Sequence, residues 1–488
     1  MKKLAGLVII LAALLVGGYY GMGVLTEKTI KKNIEVMDQS NGLHAQIDKY
    51  DRGLFSSEAK INWQLHIPAR VVTDANGQTQ SIPSQDFKMD MPLTIHHGPI
   101  ILTNHGVRFG LGYAESVFPF PKQYEDQFDA TFSKESTKPQ LDMSIFVNYF
   151  NQSTLDAKVP QFKLFTKEGN GQIDWLGMNA TNTMSPEMKK VDGTLTLDGV
   201  HVSKGDSTLN LGQISTEYNL HKTDSGLYLG SANFDLPSFS SVDKGQKVFA
   251  ITDLVFKSDS DIKEHLFSTS LTLSVKSILV NAKTYGPGDF AVAIRNLDAD
   301  VLAKINQQAA AMQNAPDAQR QQAVIALLPE IPKLFSKGAE FEISKFNLTL
   351  PEGQVDGNLF VSLPKQENAN PFELMQKIQG KARLKVPAAA VKSLVQQSVV
   401  QQMARQPDYQ NALVQQLQGA QTTTNQGSQP TTPSIDQLAA IQADKQLNAL
   451  QQNGLIITQG SDYLIEVSLE QGKFIVNGKP FDSSMLKF

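Results

Sequence analysis

Apolar residues recur at every second position over most of this chain, the period of a strand with one face turned to a core and the other to water. Met143, Ile145, Val147 and Tyr149 share one parity; Leu195 and Leu197 lead to Val200 and Val202, and Leu209 and Leu211 to Ile214. The spacing returns at Leu271, Leu273 and Val275, at Phe290, Val292 and Ile294, and through Phe341, Ile343, Phe346, Leu348 and Leu350. It closes with Leu359, Val361 and Leu363, then Tyr463, Ile465, Val467, Leu469, Phe474 and Val476. Between the runs stand Asp192-Gly193, Asp198-Gly199, Gly205-Asp206, Glu352-Gly353 and Asp356-Gly357, dipeptides that turn antiparallel strands. The expected fold is mainly β with α: long antiparallel amphipathic sheet, apolar on one face and polar on the other. Leu195, Leu197, Leu209, Leu211, Leu271, Leu273, Phe346 and Leu348 mark the expected apolar face.

Three stretches depart from this period. Met1-Lys2-Lys3 precedes an uncharged run from Leu4 to Leu25, about 22 residues or roughly 33 Å of helix, enough for one bilayer crossing. Leu7, Val8, Ile9, Ile10, Leu11, Leu14 and Leu15 form its apolar body, Tyr19 and Tyr20 suit the interface, and the two lysines hold the N-terminus inside. The run continues past the length of a signal-peptide core and lacks a clean cleavage site, so residues 1–25 are expected to be an uncleaved anchor, with a β-rich region over 26–300. A helical insertion is expected over 301–338, from Leu302, Ile305, Ala309 and Met312, followed by strands over 339–386. Residues 387–453 read as a Gln-rich helical region with a flexible loop at 419–433 and a capping box at Ser434-Ile435-Asp436-Gln437. Residues 454–488 read as a β-hairpin.

Composition narrows the chemistry. Of 488 residues, 41% are hydrophobic and 19% charged, a balance that excludes both a polytopic membrane protein and a wholly disordered chain. The net charge of −4 and the lack of a Lys/Arg block argue against nucleic acid as a partner. With no cysteine there is no disulfide, thiolate metal site or Cys nucleophile. Ser56 and Ser57 lack the Gly-x-Ser-x-Gly elbow of a hydrolase nucleophile. His96 and His97, adjacent on a strand, point to opposite faces and cannot easily share an ion. Gly110-x-Gly112 has no third glycine. No catalytic, metal or cofactor site is expected. The terminal Phe488 matches the aromatic end of an outer-membrane barrel, but a retained N-terminal span keeps the chain elsewhere.

Several short motifs occur together in a fixed order. The anchor is followed by Tyr50-x-Arg52-Gly53-x-Phe55-Ser56-Ser57 and by His97-Gly98-Pro99, then by Gly171-Gln172-Ile173-Asp174, Leu327-Leu328-Pro329 and a terminal block from Gly454 to Pro480. In this order the chain resembles the YdgA/YihF family of bacterial inner-membrane-anchored proteins. The resemblance implies a single-pass inner-membrane anchor, a periplasmic body, no known catalytic residue and homodimer formation. The early tail after Phe481 and the Gln-rich loop depart from it.

A sheet with one apolar surface must be covered by its own curvature, by helices or by an apolar guest. The first expectation for function is therefore binding or carriage of phospholipid or another lipophilic ligand in envelope maintenance, similar in pattern to the AsmA/TamB class of long sheets. The alternative is a non-catalytic envelope scaffold, in which the sheets pack on each other and the helices dock protein partners.

Overall fold

The computed structural model describes residues 2–38, 43–67, 69–73, 79–103, 106–121, 124–312, 327–366, 376–406, 413–414, 434–482 and 485, with the side chains of residues 2–13, 37, 43, 70, 71, 73, 87 and 310–312 not described. The part of the expected helical insertion at 313–326 and the whole of the expected loop at 419–433 lie outside them. The chain divides into two compact units, the first comprising 1–265 and 299–331, the second 266–298 and 332–488.

The first unit opens with helix α1 (Lys2–Asp38), which does not stop at the end of the apolar run but continues for more than three turns. That extension carries Ile30 and Ile34 one turn apart on one side, both buried. They pack on the first strands, β1 (Leu43–Arg52) and β2 (Ser56–Ile67). The small hairpin β3 (Arg70–Thr73) and β4 (Thr79–Ile82) leads to β5 (Gln85–His97). A second hairpin, β6 (Ile100–Thr103) and β7 (Gly106–Phe109), precedes β8 (Gly112–Phe118) and the short helix α2 (Glu125–Thr131).

Next come β9 (Leu141–Val147), β10 (Ser153–Val159), β11 (Phe162–Phe165), β12 (Gly171–Trp175) and β13 (Met178–Met184). They are followed by β14 (Lys190–Leu197), β15 (Val200–Lys204), β16 (Ser207–Leu211) and β17 (Ile214–Lys222). Two long strands, β18 (Tyr228–Asp243) and β19 (Gln246–Lys263), complete the set. All pairings are antiparallel. One ladder runs β1-β2-β5-β8-β9-β10-β13-β14-β17-β18-β19. A side branch, β11-β12-β15-β16, joins the far half of β18.

The two branches meet where β18 changes parity. Ala232 and Phe234 are apolar positions of one parity beside β17, whereas Phe239, opposite Leu211 of β16, falls on the other parity. The change falls between the pairs Leu236–Leu254 and Ser238–Thr252, where Pro237 has no N–H to give and Asp253 adopts φ +49°. A residue in the left-handed region breaks the pleat, so the alternation can restart on the other parity.

The second unit holds β20 (Leu266–Val280), β21 (Lys283–Tyr285), β22 (Gly288–Asp298), β23 (Glu340–Leu350), β24 (Gly353–Ser362) and β25 (Gln379–Pro387). It ends with β26 (Ile457–Gln459), β27 (Asp462–Glu470), β28 (Lys473–Val476) and β29 (Lys479–Pro480). Its ladder is β20-β22-β23-β24-β25-β27-β28, again antiparallel.

Helix α3 (Ala299–Met312), in the first unit, buries Ala299 and Ala303, and Lys304 pairs with Glu330 of α4 (Glu330–Leu334) at 2.8 Å. In the second unit α5 (Ala388–Arg405) and α6 (Ile435–Gln452) pack on each other through Val399, Met403, Leu438 and Ala439. Helix α6 starts with the expected capping box: Ser434 Oγ accepts from the Gln437 N–H, and the Gln437 side chain accepts from the Ser434 N–H. Among the described residues, no helix is long and apolar enough to cross a membrane. The apolar core of the expected anchor, Leu7 to Leu11, lies where side chains are not described.

Candidate functional site

The motif residues scattered between Tyr50 and Pro99 meet on the C-terminal half of α1. Register brings them together: Tyr50 lies opposite Ala59, Arg52 opposite Ser57, and Ser57 opposite Ile95, which places all of these rows at one end of the β1-β2-β5 ladder. Gly53 makes the turn, its N–H donating to the Ser56 carbonyl at 2.9 Å. The next residues send Phe55 against the helix, ring centroid 5.0 Å from that of Tyr19 and edge-on. Ser56 stays exposed at the strand start while Ser57 is buried.

Arg52 holds two helix residues. Its guanidinium donates to Glu27 at 2.8 Å and lies over the Tyr20 ring, 5.1 Å from the centroid. Glu27 also accepts from Lys31, one helical turn on, at 2.6 Å. The Lys31 hydrogen bond and charge, followed by those of Arg52, hold the Glu27 carboxyl below its ordinary range. Lys31 covers the Tyr50 ring, and burial pushes the Tyr50 hydroxyl upward. On the helix's other side, Thr29 bonds Asn151, Lys32 pairs with Glu187 at 2.8 Å, and Asn33 donates to Ser153 Oγ at 3.0 Å.

Two close approaches seat the helix, and a third closes the turn beside it. At Gly23 a Cβ would lie 2.7 Å from His97 Nδ1; at Gly112 it would lie 2.5 Å from Thr26 Cγ2; at Gly98 it would run into the Gly110 carbonyl. Glycine is present at these points because main chain meets the His97 ring at Gly23, the Thr26 side chain at Gly112 and the Gly110 main chain at Gly98.

Beneath Gly23 sits a buried Ser–His pair. Ser57 Oγ is 2.7 Å from His97 Nε2, and His97 Nδ1 is 3.1 Å from the Leu54 carbonyl. The carbonyl can only accept, so Nδ1 carries the proton and Nε2 accepts from the serine. Burial lowers the His97 pKa, which keeps the ring neutral. The arrangement has the first two members of a nucleophilic triad but a carbonyl in place of the carboxylate. Both side chains are about 1% exposed. Access for a substrate is closed by the helix itself, and the pair serves as the internal hydrogen bond that fixes the floor of the seat. His96, its neighbour, is half-buried and turned the other way.

The expected apolar face is arranged as rows. In the first unit, Ser57, Ile95, Ala114, Ile145 and Leu155 stand side by side across five strands. One step along, Met143, Ala157, Ala180, Leu195, Thr216, Phe234 and Phe256 form the neighbouring row, and Val159, Met178, Leu197 and Ile214 the next. The opposite side carries Asp156, Thr181, Thr194 and Glu217. Leu209 and Leu211 lie on the side branch, opposite Val202 and Val200.

The second unit is more regular. Leu271, Val292, Ile343, Leu359, Ala382, Val467 and Val476 form one unbroken apolar row across seven strands. Leu273, Phe290 and Phe346 lie in the next row, and Leu348 opposite Gly288 and Val355 in a third. Phe360, paired with Glu342 and Lys381, belongs to the polar side. Every residue of the seven-strand row is only half-buried.

Apolar neighbours in register should bury one another's flanks, so half-exposure measures what is missing above the face. Elsewhere a concavity of about 650 Å³ is lined by Arg108, Glu115, Asp142, Asp156 and Lys158, on the polar side of β8, β9 and β10. It holds charges of both signs, with Ser116 and Ser144 among its lining and no histidine beside them. Among the described residues no group of three His, Asp or Glu is placed to hold a metal ion.

Comparison with curated proteins returns no match. The model of one family, described as bacterial protein of unknown function (DUF945), matches residues 1–483. A match over nearly the whole length, through helix seat and both strand ladders alike, places the chain in that bacterial family.

Proposed function

We propose that the chain is a single-pass bacterial inner-membrane protein, of the YdgA/YihF type within its family, whose periplasmic body binds or carries a phospholipid or similar lipophilic ligand in envelope maintenance. One observation carries this reading. In the first unit the side of the ladder that α1 covers, at Ala59, Ile61, Leu93 and Ile95, continues without interruption into Met143, Leu155, Ala180 and Leu195, where the burial gives way to half-exposure. An acyl chain laid on such rows is stabilised by roughly 0.8 kcal/mol per buried CH₂, and no covalent step is involved. The face starts at the helix that the apolar N-terminal run extends, so a lipid leaving the bilayer would meet it first.

The test is photocrosslinking in bacterial cells grown on radiolabelled phosphate, with p-benzoylphenylalanine replacing Leu195 or Leu271 in the full chain. Labelled phospholipid is expected on both and not on Thr194, which faces the other side of β14. Equal labelling at all three, or none at any, rejects the reading. Adducts to protein instead of lipid would favour the scaffold, which draws its support from Leu394 and Ile441, exposed apolar residues on α5 and α6.

A further inference from the structure

The hairpin β6–β7 carries an apolar surface that is exposed among the described residues. Ile100 pairs with Phe109 and Leu102 with Val107, so these four side chains share one face. All four are exposed, Leu102 at 73% and Phe109 at 63%. The reverse face is anchored: Ile101 is 1% exposed, and its partner Arg108 lies over the rings of Tyr113 and Phe146. A two-stranded hairpin with its polar-capable face turned inward and four large apolar residues outward is the reverse of the pattern expected in water.

Its position names the partner. Tyr19 of α1 donates its hydroxyl to the Ile100 carbonyl at 2.8 Å, which fixes the hairpin at the level of Tyr19. Tyr149 donates to the Pro99 carbonyl at 2.7 Å, bringing the turn with Phe150, 86% exposed, to the same level. Phe55, also exposed, touches Tyr19 from the other strand pair. Immediately before this level α1 leaves the body, with Leu14, Leu15 and Val16 exposed.

A hydrocarbon layer of about 30 Å takes about 20 helical residues. Counted from Leu4, that run extends to Gly23, so Tyr19 stands about 6 Å inside its outer limit at 1.5 Å per residue. Whatever is fixed to Tyr19 is drawn into the same layer. Tyr20, with Arg52 stacked on it, stands where an aromatic ring and a cation reach the headgroups.

We propose that the outer face of β6–β7, with Phe55 and Phe150, is a membrane-inserting collar that sinks into the periplasmic leaflet around α1. The collar rests on the reading of α1 as a bilayer anchor. Its consequence for that reading is mechanical: a body held by both a helix and a collar keeps a fixed height and tilt on the membrane, with the start of its apolar face at the lipid surface.

The chain has no cysteine, so single-cysteine probes carry no background. Full-length protein with Ile9→Cys, Leu102→Cys, Phe109→Cys or Lys244→Cys would be labelled with an environment-sensitive fluorophore. It would then be placed in nanodiscs of phosphatidylethanolamine and phosphatidylglycerol, with or without lipid spin-labelled near the headgroup. The collar predicts a blue shift and spin-label quenching at positions 102 and 109, but neither at the exposed position 244. Quenching at position 9 with none at 102 or 109 overturns the collar and leaves the anchor standing. No quenching at any position overturns both. A blue shift at 102 and 109 without quenching marks a protein partner, such as a second copy, and also overturns the collar, as does equal quenching at 244.

Discussion

Two stretches of one sheet face in the first unit differ in what lies above them. Under α1, Ile61, Met91 and Ile95 are sealed; a few strands on, Met143, Ala180 and Leu195 belong to the same side and are half-open. The residue types are alike, so the difference comes from the lid and not from the sheet. Alternation makes a face apolar, and only a partner makes it a core.

The strongest way to break this comparison is to cut cavities in both stretches. Ile61→Ala should cost about 2–5 kcal/mol, as in a closed core that cannot collapse. Leu195→Ala should cost about 1 kcal/mol, because the half-exposed side chain has less burial to lose. Urea unfolding of the detergent-solubilised chain measures both, and equal costs would mean that the open stretch is covered after all.

A smaller effect sharpens how tightly the lid sits. Gly23→Ala brings a Cβ to within 2.7 Å of the His97 ring and should destabilise by about 1–3 kcal/mol. Gly21→Ala, on the same helix with nothing within 4 Å, should be neutral or slightly stabilising through helix propensity. Melting temperatures of the pair separate a packed seat from a general intolerance of change in α1. If both behave alike, the seat is not tight.

Acid should loosen the lid before it affects the open rows. His97 is held neutral chiefly by burial, which outweighs the Leu54 carbonyl's support for the charged ring; Arg52 and His96 oppose the charge further, and Glu27 favours it weakly. Its folded pKa is below the ordinary 6.5, so the unfolded chain binds the proton first. Stability from this group is complete above pH 6.5 and is lost as pH falls through the depressed value. His97→Asn should lower stability at neutral pH and flatten that slope, read from unfolding between pH 5 and about 8. An unchanged slope would remove His97 from the seat's acid response.

The smallest expected effect is at the rim. Glu27→Gln leaves Arg52 and Lys31 without their shared carboxylate, yet the pair is partly in water, so about 0.5 kcal/mol is expected, fading with added salt. A loss of several kcal/mol in a thermal melt would show that the ion pairs, not the apolar contacts, hold the helix down.

Much of the strand architecture was legible because alternation is a local signal: Leu195 and Leu197, or Leu271 and Leu273, declare their shared side within three residues. The cap at Ser434 was equally local. The helix seat was not, since Tyr19, Glu27, Tyr50, Arg52 and His97 are separated by up to some eighty positions and no short spacing links them. A signal was present in Ile30 and Ile34, four apart, with Glu27 and Lys31 beside them. These mark an amphipathic helix that outlasts the apolar run. The parity change at Pro237 and Asp253 was hidden for another reason, because a backbone φ is decided by the pairing on both sides of the strand.

By itself, then, the sequence determined that this chain makes antiparallel sheet with one apolar side, that it opens on an apolar run, and that it has no thiol chemistry. Register, the lid and the exposed collar were decided by the tertiary structure. Periodicity states which side chains share a face, but whether that face is sealed depends on strands and a helix brought together from distant parts of the chain, and no local pattern encodes that distance.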